Sequence, residues 1–245
     1  MITRNYYKMV RVFPDPESYF YIKNESMSNG QMDFYSYDFP ELNLEYSFDK
    51  VNWKNADGLM YDYIPADGYC YLRNTSGMFG KEGHTIFYPR MNISVGGDIR
   101  TLFNYRDVES VTAIPDYGFC RPFAMQGDAK LIDISNLSFR GITSIGNYGL
   151  YEAFSNDKFT ITKGVDLRNV TTLGDNALEY LYSNCSNLTE VYAPNVSTWD
   201  ISKTNLWLSG VASSGVVYKP ANLTIPTNDD NGIPYGWTTQ DYPTE

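Results

Sequence analysis

The sequence predicts a mixed β and α/β protein, with an antiparallel β-sandwich-like N-terminal domain (1–97), a short repeat solenoid (98–198) and a C-terminal cap (199–245). Three observations carry this. Apolar and polar residues alternate in short runs up to Gly97, two distinct sequence blocks recur three times in the same order after it, and the recurrence lapses beyond Trp199.

In the N-terminal part, Tyr19-x-Tyr21, Met32-x-Phe34, Leu42-x-Leu44-x-Tyr46, Tyr69-x-Tyr71 and Met91-x-Ile93-x-Val95 alternate with polar residues, and Gly, Pro, Asn and Asp clusters separate them. Side chains on a strand point alternately to its two faces, so this period of two predicts half-buried strands joined by tight turns. Helix-period segments are absent there. Gly96-Gly97 marks the expected joint, and Asp98-Ile-Arg-Thr-Leu-Phe103 the entry to the repeats.

The repeat consists of two blocks. Ile132-Asp-Ile-Ser-Asn-Leu137 returns as Val165-Asp-Leu-Arg-Asn-Val170 and Val191-Tyr-Ala-Pro-Asn-Val196, each alternating like a short strand. Upstream of each copy lie Ile114-Pro-Asp-Tyr-Gly-Phe119, Ile145-Gly-Asn-Tyr-Gly-Leu150 and Leu173-Gly-Asp-Asn-Ala-Leu178. There, Asp116, Asn147 and Asp175 precede apolar pairs at i, i+4 (Phe119/Phe123, Leu150/Phe154, Leu178/Tyr182), which predicts an N-cap and a short helix. Pro122 predicts a kink in the first of these. Neither piece is stable alone, so stacking is required: strands pair side by side and the inward positions Ile134, Leu167 and Ala193 form one apolar layer per repeat. Asn136, Asn169 and Asn195 are expected to bond the backbone of the adjacent coil. The terminal unit must cover the last layer, and Trp199, Trp207 and Trp237 are expected to do so.

Composition excludes some functions. The chain of 245 residues carries 29 carboxylates against 19 Lys plus Arg, a net charge of −10, which opposes binding to nucleic acid or anionic membrane. No apolar run approaches the roughly 18 residues needed to span a bilayer. Cys70, Cys120 and Cys185 are widely spaced without a Cys-x-x-Cys pattern, so buried free thiols are expected rather than a metal cage or a disulfide framework. His84 lies in a turn-rich segment with no nucleophile motif, and no pair of carboxylates stands out as a catalytic couple, so no catalysis and no cofactor are expected. Asn228-Asp-Asp-Asn-Gly232 resembles part of a calcium loop but lacks the terminal Glu. Sugar rings stack on aromatic faces, which makes Trp53, Tyr61 and Tyr63 candidates, with the three cap tryptophans expected to be structural. Asp133, Ser135, Asp166 and Arg168 occupy outward strand positions and form the candidate ligand surface.

Ile145-Gly-Asn-Tyr-Gly-Leu-Tyr-Glu-Ala-Phe-Ser-Asn156, Ser183-Asn-Cys-Ser-Asn-Leu-Thr-Glu-Val191, Leu208-Ser-Gly-Val211 and Asn231-Gly-Ile-Pro-Tyr-Gly-Trp-Thr238 resemble BspA-type leucine-rich repeat proteins of gut Bacteroidetes and their phages. Leu44-Glu-Tyr-Ser-Phe-Asp-Lys-Val-Asn-Trp53 is similar to the β-sandwich that precedes such repeats. The resemblance covers about residues 40 to 240 and implies a leucine-rich-repeat solenoid. Exported bacterial members carry a signal segment that the start Met1-Ile-Thr-Arg-Asn-Tyr-Tyr-Lys8 does not match. The expectation is therefore a product made in the host cytoplasm and carried on the virion surface, as in the head and tail fibres of crAss-like phages. Its expected partners are itself, as a homotrimer, other virion structural proteins, and host surface glycan or protein. Tyr6, Tyr7, Lys8 and Arg11, within residues 1–15, form the candidate particle anchor. A bacterial cell-surface adhesin with its leader removed and a polysaccharide depolymerase are the alternatives.

Overall fold

A computed structural model of the chain describes residues 19–35, 42–56, 59–80 and 85–243. The anchor residues Tyr6, Tyr7, Lys8 and Arg11 lie outside the described residues, as do His84 and the side chain of Tyr61. The fold is β-rich. Helix among the described residues is limited to one turn at Thr101–Asn104 and a 3-10 turn at Val108–Ser110.

The N-terminal part contributes β1 (Phe20–Asn24), β2 (Gly30–Tyr35), β3 (Glu45–Ser47), β4 (Lys54–Asn55), β5 (Leu59–Ile64), β6 (Tyr69–Arg73), β7 (Phe87–Pro89) and β8 (Ile93–Asp98). Alternation decides which face each strand buries: Phe20, Ile22 and Asn24 of β1 point inward while Tyr21 and Lys23 are half-buried, and β6 repeats the pattern with Cys70 and Leu72 inward. One sheet runs in the order β8-β1-β6-β3-β4 and a second in the order β5-β2-β7, all antiparallel. The inner faces meet through aromatic rings. Phe87 stacks on Phe20 with centroids 6.3 Å apart and meets the edge of Phe34 at 5.6 Å.

This half contains a repeat of its own. Tyr19-Phe-Tyr-Ile-Lys-Asn-Glu-Ser26 corresponds to Tyr69-Cys-Tyr-Leu-Arg-Asn-Thr-Ser76, Gly30-Gln-Met-Asp-Phe-Tyr35 to Gly83-His-Thr-Ile-Phe-Tyr88, and Leu42-Asn-Leu-Glu-Tyr-Ser-Phe-Asp49 to Met91-Asn-Ile-Ser-Val-Gly-Gly-Asp98. Corresponding residues face one another: Tyr21 pairs with Tyr71, and Phe34 with Phe87. The flanking strands follow the same rule, since Ile22 pairs with Val95 as Leu72 pairs with Tyr46. Antiparallel pairing of equivalent strands at equivalent residues defines a local two-fold axis. The buried amides Asn24 and Asn74 are related by it. Each donates from Nδ2 to the carbonyl four residues on (Ser28 at 2.9 Å, Met78 at 2.6 Å) and accepts at Oδ1 from the N–H two residues on (Ser26 at 2.8 Å, Ser76 at 3.0 Å).

Beyond β8 the chain adds β9 (Ala113–Ile114), β10 (Leu131–Ser138), β11 (Ser144–Ile145), β12 (Lys163–Asp166), β13 (Thr172–Leu173), β14 (Glu190–Tyr192), β15 (Gly215–Lys219) and β16 (Trp237–Asp241). These pair in parallel, β9-β11-β13 as one ladder and β12-β14-β15-β16 as another. β10 pairs in parallel with β8, so the first sheet crosses residue 98, and Gly96-Gly97 lie within β8. Ile134, Leu167 and Ala193 are buried in one continuous core.

The expected short helices do not form. The segments after Asp116, Asn147 and Asp175 are ribbons of overlapping turns, with Tyr117, Tyr148 and Asn176 at positive φ and a second such residue four positions on at Arg121, Glu152 and Tyr180. Alternate N–H groups bond within the ribbon, as Gly149 to Gly146 O (3.1 Å) and Tyr151 to Tyr148 O (3.2 Å). Those between them reach the next coil, as Tyr148 to Asp175 O, Leu150 to Ala177 O and Glu152 to Glu179 O at 2.9 to 3.0 Å. A helix would close all its bonds on itself, whereas this arrangement uses half of them to join coils. Asp116 and Asn147 are accordingly not N-caps: Asp116 Oδ1 accepts from Asn147 N (2.7 Å) and Asn147 Oδ1 from Asp175 N (2.8 Å). That is the task expected of Asn136, Asn169 and Asn195, whose side chains are exposed and make no hydrogen bond among the described residues. At Pro122 the first ribbon stops at Arg121, and Pro122 O instead accepts from Phe87 N of β7 at 2.9 Å.

Three C-terminal tryptophans are fixed to backbone carbonyls. Trp207 is fully buried and Trp237 nearly so, donating to Gly232 O (2.7 Å) and Ala212 O (2.6 Å), and Trp199 donates to Asn231 O (2.8 Å).

Cys70, Cys120 and Cys185 are buried and outside any disulfide. Burial pushes the Cys185 thiol up to about 12, and its Sγ contacts Phe154 O at 2.8 Å. At pH 8 only about one molecule in ten thousand would hold this thiolate. Native protein is therefore expected to resist iodoacetamide at Cys185, and protein in 6 M guanidinium to be alkylated there, as read by peptide mass mapping. Equal labelling in both states would show that this core is open.

Candidate functional site

The parallel register of β12, β14, β15 and β16 places like positions side by side. Asp166 stands beside Tyr192, Tyr192 beside Tyr218, and Tyr218 beside Gln240. Strands lie about 4.8 Å apart, and rings carried at one register therefore stack. Tyr192 and Tyr218 do so with centroids 4.7 Å apart at 18°. None of Tyr192, Tyr218 or Gln240 is buried.

Charged groups border the rings in compensated pairs. Arg168 bonds Asp166 through Nε (3.1 and 3.0 Å) and Nη2 (2.8 Å), and its guanidinium stands 5.2 Å from the Tyr192 centroid. On the preceding register Lys163 bridges Glu190 at 2.9 Å and lies 5.1 Å from the same ring. Tyr242 donates its hydroxyl to Ala193 O at 2.6 Å. Burial is the main cause that holds the phenols of Tyr192 and Tyr242 above the usual tyrosine range. Both stay protonated at ordinary pH, able to donate and to accept.

Ser135 and Asp166, adjacent copies of the strand block, line a shallow groove of about 240 Å³ with Asn136, Ser138, Arg140 and Asn169. Asp133 turns back on its own strand, accepting from Ser135 N (2.8 Å) and Ser135 Oγ (2.9 Å). Asp133 and Ser135 thus lie on β10, and Asp166 ends β12 with Arg168 just beyond it; the two strands adjoin without pairing. Tyr192 and Tyr218 were not anticipated. Tyr192 was detectable, because Val191-Tyr-Ala193 occupies the block position of Val165-Asp-Leu167; Tyr218 belongs to no recurring block.

Among the other sequence candidates Tyr63 of β5 is 57% exposed, whereas Trp53 and the acidic turn are engaged structurally. Trp53 is covered by the Arg73 guanidinium 3.9 Å from its centroid and by Tyr19 at 5.0 Å. In the acidic turn, Asn228 Oδ1 accepts from Asp230 N (3.1 Å) and Asn231 N (2.6 Å), and Asp229 Oδ1 from Tyr235 N (3.1 Å). Among the described residues no group of three or more His, Cys, Asp or Glu could hold a metal ion, and no helix is long and apolar enough to cross a membrane. The face offers ring planes, hydroxyls and fixed ion pairs, which is chemistry for binding polyhydroxylated molecules.

No protein-family model, no curated protein and no solved structure matches the chain.

Proposed function

We propose that the chain is a non-enzymatic surface protein of a phage virion, a head or tail fibre or decoration protein, that attaches to host surface glycan through the exposed face of its parallel ladder. One observation carries the binding role: the row Asp166, Tyr192, Tyr218, Gln240 is held in register by four strands, with two stacked aromatic rings flanked by hydrogen-bonding groups. The virion setting rests on the resemblance to BspA-type repeats. Parallel pairing of the recurring blocks supports reading the C-terminal half as a leucine-rich-repeat solenoid, with Asp116 and Asn147 in the inter-coil role that such repeats give to Asn. The two facing antiparallel sheets serve as the sandwich that connects it to the particle, and a homotrimer is the assembly.

Biolayer interferometry against immobilised bacterial surface polysaccharides tests the binding role. Wild-type protein is expected to bind at least one of them, and Tyr192→Ala and Tyr218→Ala each to weaken that binding about tenfold, or ~1.4 kcal/mol. Undiminished binding by the double variant would remove this face from the role, and release of reducing ends from the bound polysaccharide would make the protein a depolymerase. Light scattering after gel filtration is expected to give a trimer at micromolar concentration; a monomer would count against a fibre.

A further inference from the structure

We infer that the tyrosines on the outer face of the N-terminal sheet are a second contact for the same ligand, so that the protein grips a neutral, extended polysaccharide across both halves rather than a single terminal sugar. This rests on the glycan-binding reading above and adds to it the class and length of the glycan.

The platform consists of Tyr21, Tyr69 and Tyr71. Tyr69 and Tyr71 stack at 5.7 Å and 7°, and Tyr21 stands edge-on to Tyr69 at 5.3 Å and to Tyr71 at 6.4 Å. The Lys50 ammonium covers Tyr71 at 4.6 Å from its centroid. The local two-fold axis shows what is unusual about Tyr69. Its counterpart Tyr19 is only 7% exposed, packed on Trp53 at 5.0 Å and Tyr105 at 6.4 Å, whereas Tyr69 is left 37% exposed. A large ring uncovered where its equivalent is covered is a departure from the internal symmetry that packing does not explain.

The platform adjoins the ladder face. Tyr21 lies across Gly96, where any side chain would collide with its ring and with Asn136 Cβ at 2.9 Å. Asn136 pairs with Gly96 and lines the groove that also contains Ser135 and Asp166. Asp166 leads to Tyr192 and Tyr218. β1 to β10 spans two strand spacings in one sheet and β12 to β14 one in another, and β10 and β12 adjoin without a ladder, so the path covers at least three spacings, roughly 14 Å, more than the width of one sugar ring.

The composition of the face favours a neutral carbohydrate over a protein or a charged polymer. Cores of protein interfaces are depleted in charge, whereas here Asp133, Asp166 and Arg168 lie between the two tyrosine clusters. Apart from Lys50, seated on Tyr71, and Arg140 in the groove, its cations are paired, Arg168 with Asp166, Lys163 with Glu190, and Lys23 with Glu25 at 3.0 Å and Asp67 at 2.8 Å. The net charge of −10 repels polyanions.

The test uses the full chain against mannan, xylan and mixed-linkage β-glucan as neutral probes and alginate and chondroitin sulfate as anionic ones, with sized fragments of whichever polymer binds. Binding to a neutral polymer is expected, with fragments of eight sugars held at least tenfold tighter than fragments of two. Tyr69→Ala and Tyr21→Phe/Tyr69→Ala should weaken the long fragments about tenfold and leave the short ones unchanged, whereas Tyr192→Ala should weaken both. Circular dichroism checks that the variants fold, and the exposed Tyr69→Ala alone suffices if the pair does not. Equal affinity for short and long fragments, or no effect of Tyr69→Ala, overturns the inference while leaving the ladder face as the binding site. Binding confined to the anionic probes also overturns it. Absence of binding to every probe overturns it together with the glycan role. A changed oligomeric state with unchanged glycan affinity in Tyr69→Ala would reassign the platform to contact between copies.

Discussion

Arg100→Leu is expected to destabilise the protein by about 3–5 kcal/mol, the cost of leaving a buried carboxylate without its partner. Arg100 is 5% exposed and Asp98 8%. The guanidinium bonds Asp98 through Nε at 3.1 Å to both oxygens and through Nη2 at 2.8 Å, and Arg100 N donates to Asp98 Oδ1 at 3.0 Å. The pair closes the end of β8, where the two halves join. There, Thr101 Oγ1 donates to Asp98 O at 2.8 Å and accepts from Phe20 N at 2.9 Å. Glu109 also reaches Arg100, at 3.3 Å, but is almost fully exposed and cannot replace the lost contact.

Arg168 and Asp166 supply the control. Their bonds have nearly the same lengths, yet the side chains are 28% and 45% exposed, so Arg168→Leu is expected to cost about 0–1 kcal/mol. Urea denaturation of the two variants measures the difference. Asp98→Asn combined with Arg100→Leu should recover part of the loss, because the buried charge goes with its partner. Equal, small effects at Arg100 and Arg168 would show that burial does not govern this pair.

The N-terminal strands were legible because alternation with period two has one physical cause, the pleat, and Phe20, Ile22, Cys70 and Leu72 obey it. Of the three strand blocks, the second and third pair at equivalent positions, Asp166 with Tyr192, whereas the first, in β10, pairs with β8 of the N-terminal sheet instead. The expected helices give way to ribbons because Asp or Asn followed by apolar residues four apart fits a capped helix and a turn ribbon equally well. What decides between them is whether the next coil lies close enough to take half the N–H groups, and that is a tertiary fact. The N-terminal repeat has no fixed period, because its three blocks are offset by unequal intervals: 50 residues from Tyr19 to Tyr69, 53 from Gly30 to Gly83 and 49 from Leu42 to Met91. At the candidate site, Asp166 and Arg168 could be placed outward by alternation. The tyrosine row needed the register of β14 and β15, which no local pattern encodes.

The closeness of the coils leads to the second large effect: Gly174→Val is expected to destabilise the protein by about 3 kcal/mol or more. A Cβ at Gly174 would lie 2.5 Å from Asn147 N, 2.6 Å from Gly146 C and 2.7 Å from Asn147 Oδ1. Two of these atoms are backbone, so no rotamer change relieves the collision, and the coils must separate. Separation breaks the bonds that replaced the expected helix, Asp175 N to Asn147 Oδ1 at 2.8 Å and Tyr148 N to Asp175 O at 2.9 Å, along with Gly174 N to Ile145 O at 2.7 Å. Gly146 repeats the arrangement one coil earlier, with a would-be Cβ 2.6 Å from Asp116 N and 2.8 Å from Pro115 C, so Gly146→Val should behave alike. The urea midpoint measures the loss, and hydrogen exchange locates it: the amides of Tyr148 and Leu150, which donate to the next coil, should lose protection before those of Ile22 and Leu72 in the N-terminal sheet. A Gly174→Val variant within about 0.5 kcal/mol of wild type would mean that the coils do not touch here, and the in-register tyrosine row, which depends on the same stacking, would lose its support.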